Sequence, residues 1–149
     1  MASARISKVR REQLVDELHE VGQRATSARV AVLDAVLRAD APLTHAELTS
    51  KLDGNGWDAA TIYRNLMAIT EAGLIMRSDH GDRRWRFERR PAEDGAVHQH
   101  PHFMCTDCGT VSCLPTVEIE LPRSSGLPRS ALAGAFEVQL HGLCDSCSG

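Results

Sequence analysis

Two Cys-x-x-Cys pairs constrain this chain more than any other feature. Cys105 and Cys108 stand in Cys-Thr-Asp-Cys-Gly, Cys144 and Cys147 in Cys-Asp-Ser-Cys, with the 35 residues 109–143 between them. Two thiolates three positions apart grip one face of a tetrahedral ion from a tight knuckle. Two knuckles complete a closed structural zinc site. Gly109 supplies the backbone freedom that such a turn needs. Closing a loop of this length costs about 3 kcal/mol, whereas a structural zinc contributes about 10–16 kcal/mol at neutral pH. The metal outweighs the closure. The alternatives are two disulfides or two redox pairs. Disulfides suit small secreted domains, and Met-Ala-Ser-Ala-Arg-Ile-Ser-Lys at the start holds no apolar signal stretch. A cytoplasmic protein with reduced cysteines is expected.

At 149 residues the chain has room for one domain or two small ones. Aromatics are only 4%, so small cores need outside help. No apolar run approaches the 18 or so residues that a membrane span requires. The net charge of −3 conceals a division. Residues 1–90 carry 15 Lys and Arg against 13 Asp and Glu, and residues 91–149 carry 2 against 7. All the cysteines and a cluster of three histidines lie in that second stretch. The split points to an N-terminal module for a polyanion and a C-terminal module for metal.

Four helices are expected in the first module. One over about 10–21 carries Leu14, Leu18 and Val21 and ends at Gly22. A second covers about 27–39. A third starts at Thr44, where Thr44 and Glu47 form a capping box. The fourth runs from an Asp58 N-cap through Ile62, Leu66 and Ile69 to Gly73. The period then changes to two. Leu74–Met76 reads as a strand, Asp79–Asp82 as a turn and Arg84–Glu88 as the return strand, with Trp85 and Phe87 on one face. Helices followed by such a wing describe a winged helix-turn-helix over residues 1–90. Its recognition helix exposes Thr61, Arg64 and Asn65 with Tyr63 nearby, and Arg and Asn make bidentate contacts to guanine and adenine edges. Arg83, Arg84, Arg86, Arg89 and Arg90 follow where phosphates would run.

Residues 91–97 read as a hinge, and 98–149 as the metal-binding domain. His98, His100 and His102 alternate, so an extended segment turns all three to one side. Cys113 is left over from the four-cysteine set, as a candidate ligand, a redox thiol or a buried small hydrophobe. Glu88, at the end of the wing strand, is placed to reach across the hinge as a ligand. Strands are expected at Thr110–Leu114 and Phe136–Leu140, and a helix at Arg129–Ala135 between them.

Ala60-Thr61-Ile62-Tyr63-Arg64-Asn65-Leu66, Phe87-Glu88, His100-x-His102-x-x-Cys105-x-x-Cys108-Gly109 and His141-Gly142-Leu143-Cys144-x-x-Cys147 together resemble the ferric uptake regulator (Fur) superfamily, over about Gly22 to Cys147. The resemblance implies a homodimeric, metal-activated repressor that binds a palindromic operator through a winged-helix domain, followed by a small α/β dimerisation domain. It implies DNA contacts for Tyr63 and Arg64, and for Arg24 and Arg29 at the start of the second helix. It maps a sensory metal site to Glu88, His100, His102 and Cys113, with His98 a further candidate ligand. A family histidine falls on Pro42, with His45 close by as a substitute. A further family site is broken, because Pro101 and Phe136 replace its ligands and leave Glu120 alone. Histidine, carboxylate and thiolate suit zinc. The His-Gly-Leu-Cys-x-x-Cys ending also looks like zinc-uptake regulators, so zinc is the expected sensory metal. Iron or manganese sensing and peroxide sensing are the alternatives. A redox-switched zinc protein that binds no DNA is the rival from another class. No nucleophile–base pair, phosphate loop or His-Glu-x-x-His helix is present, so no enzyme is expected.

Overall fold

The computed structural model describes residues 6–90, 101–120, 126–132 and 138–149. The chain divides into two compact units, Met1–Arg90 and Pro91–Gly149. The stretch read as a hinge, 91–97, lies outside the described residues.

In the first unit each helix begins where a side chain can satisfy free backbone N–H groups. Ser7 caps α1 (Lys8–Glu20) and Thr26 caps α2 (Ser27–Leu37). Thr44 and Glu47 close both bonds of the capping box on α3 (His45–Lys51), and Asp58 caps α4 (Ala59–Glu71), accepting from the Thr61 N–H at 2.7 Å. The end of α4 is set by Gly73, whose φ of 79° allows the Leu74 N–H to reach back to the Ile69 carbonyl at 3.1 Å. Leu14 and Leu18 of α1, Val32 and Leu33 of α2, Leu48 of α3 and Ile62, Leu66 and Ile69 of α4 form one fully buried aliphatic core. At about 1.5–3 kcal/mol for each fully buried aliphatic side chain, this core holds the unit together.

A three-stranded antiparallel sheet lies at the edge of that core, in the order β1 (Leu43–Thr44), β3 (Trp85–Arg89), β2 (Ile75–Asp79). The sequence pattern predicts two of these strands and misses β1, which at two residues has no readable period. The β2–β3 faces also divide differently from the alternation. Phe87 is 1% exposed and packs with Ile75 on the core, whereas Trp85, on the same face but nearer the tip, is 52% exposed. Its ring is covered instead by the Arg77 guanidinium, 4.4 Å from the centroid. On the opposite face Arg86 is buried and makes a two-pronged ion pair with Asp82, both bonds 2.8 Å.

The second unit is built around β4 (His102–Cys105), central in a three-stranded sheet. β5 (Val111–Cys113) pairs with it antiparallel, and β6 (Gln139–Gly142) pairs parallel. Parallel neighbours need a long crossover, which occupies the stretch between β5 and β6 and includes the one-turn helix α5 (Arg129–Leu132). The last strand therefore begins later than the pattern expects. Phe136 and the remainder of the expected helix, 133–135, lie outside the described residues. The second unit's buried side chains among the described residues are Pro101, His102, Met104, Cys105 and Val111. No helix among the described residues is long and apolar enough to cross a membrane.

Candidate nucleic-acid face and metal centres

Helix α4 presents Tyr63 and Arg64 outward, with Tyr63 47% exposed. Arg64 is held in place by a 3.0 Å hydrogen bond from its guanidinium to Thr61 Oγ1. Thr61 is half-buried, one turn before Asn65. The Asp58 carboxylate at the helix start sits below its usual pKa, chiefly because the Thr61 side chain and then its backbone N–H hydrogen-bond to it.

Asn65 is not on the exposed face, contrary to the helix-wheel expectation. It is 8% exposed, its amide donates to the Thr61 carbonyl at 2.9 Å, and its Oδ1 accepts from Arg29 Nε at 3.1 Å. Arg29 is occupied in turn. One terminal nitrogen donates to Gln23 Oε1 at 2.8 Å and to the Arg24 carbonyl at 3.2 Å. Arg29 and Asn65 thus brace the start of α2 and the loop before it against α4. Arg24, next to this brace, is exposed. Gln23 has no local sequence signal for its part in the brace, because its partner Arg29 reaches it only once α2 is formed. Among the wing arginines, Arg83, Arg84, Arg89 and Arg90 are exposed, and Arg86 is buried on Asp82 and so withdrawn from any phosphate role.

Two further polar side chains of the wing escaped the sequence reading. Ser78 donates to Glu88 Oε1 at 3.3 Å and lies 3.1 Å from Nε2 of His80, which is 1% exposed. Their two-residue spacing puts both on the Glu88 face of the sheet. That spacing was the available signal, obscured because residues 79–82 read as a turn.

In the second unit the parallel register sets Cys105 opposite Gly142, which brings the two knuckles side by side. The four sulfurs of Cys105, Cys108, Cys144 and Cys147 lie within 4.8 Å of one another. Cys108 and Cys144 Sγ are 3.8 Å apart. A tetrahedral ion with bonds of about 2.3 Å to sulfur needs edges of about 3.8 Å, so the donor set fits such an ion. Knuckle hydrogen bonds hold the turns: Gly109 N–H to the Cys105 carbonyl at 3.0 Å and Cys147 N–H to the Cys144 carbonyl at 2.9 Å. The Cys105 thiol is lowered to about 6, first by the Cys108 N–H and then by that of Cys144. Cys108 is lowered too, chiefly by Thr110. Cys147 is pushed strongly up, mainly by the neighbouring Cys144 sulfur. Crowded thiolates repel, and a divalent cation removes that penalty.

His102 and Cys113 are directly paired across β4 and β5, with a ring nitrogen and the sulfur within 4.8 Å. His102 is buried and Cys113 half-buried. Glu88 stands on β3 of the first unit. His98 and His100 lie outside the described residues.

Residues 20–129 match the ferric uptake regulator family. The chain belongs to this family. Its members are transcriptional regulators and not enzymes. The regulator is 27% identical over 145 residues to the peroxide operon regulator of Bacillus subtilis, covering 92% of each chain. It is 27% identical over 144 residues to the peroxide-responsive repressor PerR of Staphylococcus aureus, covering 91% and 90%. Among solved structures it resembles the ferric uptake regulator of Vibrio cholerae, with a TM-score of 0.62 and 26% identity over 87% of this chain and 98% of that one.

Proposed function

We propose that this protein is a cytoplasmic, metal-responsive repressor that binds a palindromic DNA operator as a homodimer when a regulatory divalent metal, zinc, is bound. The observation that carries the reading is the His102–Cys113 pair on adjacent strands, a nitrogen and a sulfur donor beside a separate four-cysteine set. Imidazole with thiolate is a borderline-soft combination that favours zinc over the harder ions. On this reading Cys105, Cys108, Cys144 and Cys147 hold a structural zinc. His102 and Cys113 join Glu88 and His100, with His98 in reserve, as regulatory ligands. An ion that binds the DNA-binding state of the protein better than the other would shift the population toward it. On the DNA side, Tyr63 and Arg64 reach base edges from α4. Thr61 aims Arg64, Arg24 approaches the backbone, and Arg29 with Asn65 holds the helix at its angle.

The closeness to peroxide regulators favours a second reading, in which the same site holds iron or manganese and responds to peroxide. Cys113 then serves as a thiol susceptible to oxidation or as a buried bystander.

The deciding experiment measures metal content of anaerobically purified protein and operator retention before and after mild chelation. Two zinc ions per chain, with one removable and DNA binding lost with it, is the expected result. One tight zinc, with binding restored only by iron or manganese, overturns the zinc reading in favour of the second. Arg64→Ala is expected to weaken operator binding by about 1–3 kcal/mol. An equal loss on random duplex would assign Arg64 to phosphate instead.

A further inference from the structure

His45 opens α3 and touches the start of the recognition helix, though it lies 14 residues before Ala59 in sequence. Its Nε2 lies 2.8 Å from the Ala59 carbonyl, in the first residue of α4. A carbonyl only accepts, so Nε2 carries the proton and donates, which fixes the tautomer and leaves Nδ1 as the ring's lone pair in the neutral form. The same imidazole meets the Tyr63 ring edge to face, with centroids 5.5 Å apart and planes at 73°. Tyr63 is the large exposed aromatic of α4.

These contacts form a short chain of constraint. The α3 backbone fixes the imidazole at its base, and the Ala59 carbonyl fixes its far nitrogen. The ring then limits the swing of the Tyr63 phenol. An exposed tyrosine left to itself samples several rotamers, and ordering it on binding costs about 0.5–1.5 kcal/mol. A ring already held by an edge-to-face partner pays less of that cost. His45 also bridges the two helices of the helix-turn-helix on the side where α4 displays its readers.

We propose that His45 is a positioning residue for sequence recognition, which orders Tyr63 for contact with base edges before DNA arrives, and that it is not a regulatory metal ligand. The proposal rests on the reading of α4 as the DNA-reading helix. It departs from the metal role that a position three residues from Pro42 invites, since the nitrogen that reaches furthest is already committed to Ala59.

The test uses the full-length, metal-loaded protein, an operator duplex selected by the protein from a random-sequence pool, and a scrambled duplex of the same composition. His45→Ala is expected to weaken operator binding about fivefold. Binding to the scrambled duplex, zinc content and zinc affinity should stay unchanged. In a Tyr63→Ala background the same change should have no further effect, because the residue it acts through is gone. His45→Gln, which keeps an N–H for the Ala59 carbonyl without the ring, should retain the thermal midpoint yet bind the operator as weakly as His45→Ala. Three results overturn the inference: equal loss on both duplexes, a persisting loss in the Tyr63→Ala background, or reduced zinc affinity. If Tyr63→Ala and Arg64→Ala both leave operator binding intact, the reading of α4 fails first and takes this inference with it. If they weaken binding while His45→Ala does not, the inference alone fails.

Discussion

The two units of this regulator solve the problem of stability in opposite ways. The first buries leucine, isoleucine and valine from four helices around Phe87, and its polar bonds decorate a core that is already sufficient. The second has a three-stranded sheet with Pro101, His102, Met104, Cys105 and Val111 as its buried side chains among the described residues, and it places four sulfurs within 4.8 Å of one another. So few buried apolar side chains among the described residues leave room for a metal ion to supply stability. The contrast sets a helical unit held by its own aliphatic core beside a unit whose four-cysteine set could take a metal ion, each with its own failure mode.

The strongest way to break the comparison is to remove the structural metal. Exhaustive chelation under denaturant-free conditions, or Cys105→Ser, should unfold the second unit, since about 10–16 kcal/mol is withdrawn. The helical far-ultraviolet signal of the first unit should survive. Collapse of both signals together would show that the first unit depends on the metal after all. The converse is Phe87→Ala, which should cost the first unit about 3–5 kcal/mol. It should leave the zinc content unchanged, as read by thermal unfolding beside metal analysis.

Smaller effects sharpen the picture of how polar groups serve the first unit. Asp34 is 5% exposed and pairs with Arg10 at 3.0 Å and Arg38 at 3.2 Å, tying α1 to α2. Asp34→Ala should destabilise by about 2 kcal/mol, because two part-exposed guanidinium groups lose a buried charged partner yet still reach water. A denaturant midpoint equal to wild type would show the pairs to be ornamental.

Acid provides the mildest probe. Arg86 holds the Asp82 carboxyl down to about 2, against an ordinary 3.8. A depressed carboxylate stabilises the folded state fully above the unfolded value, and that contribution fades as pH falls from about 4 through 2. Asp82→Asn should remove about 1–2 kcal/mol of stability at pH 7 and flatten the dependence of stability on pH in that acid window. An unaltered pH profile would mean that the pair contributes no linkage.

Legibility in the sequence followed the same division. Caps and aliphatic periods are local signals, so Thr44 with Glu47, Asp58 and Gly73 could be read in advance together with the helices that they bound. The cysteine pairs were legible because thiolate spacing has few other meanings. What was hidden depends on partners distant in sequence. Asn65 looks exposed on a helical wheel until Arg29, 36 residues earlier, takes its oxygen. Trp85 and Arg86 exchange their expected exposures because the sheet extends beyond the core at one end and because Asp82 neutralises the arginine. β1 was invisible because two residues carry no period, and the Ser78–His80 pair because a turn motif masked the alternation.

Strand β4 has one more consequence. It is four residues long, with His102 at one end and Cys105 at the other, so the first knuckle and the candidate regulatory histidine are about 10 Å apart on one stiff rod. On the proposed assignment of the four cysteines, an ion held there would be the datum from which the second site is measured, and a chain without it would have no calibrated gauge for metal. Loading would then be hierarchical: the regulator would have to be supplied before it could report on supply.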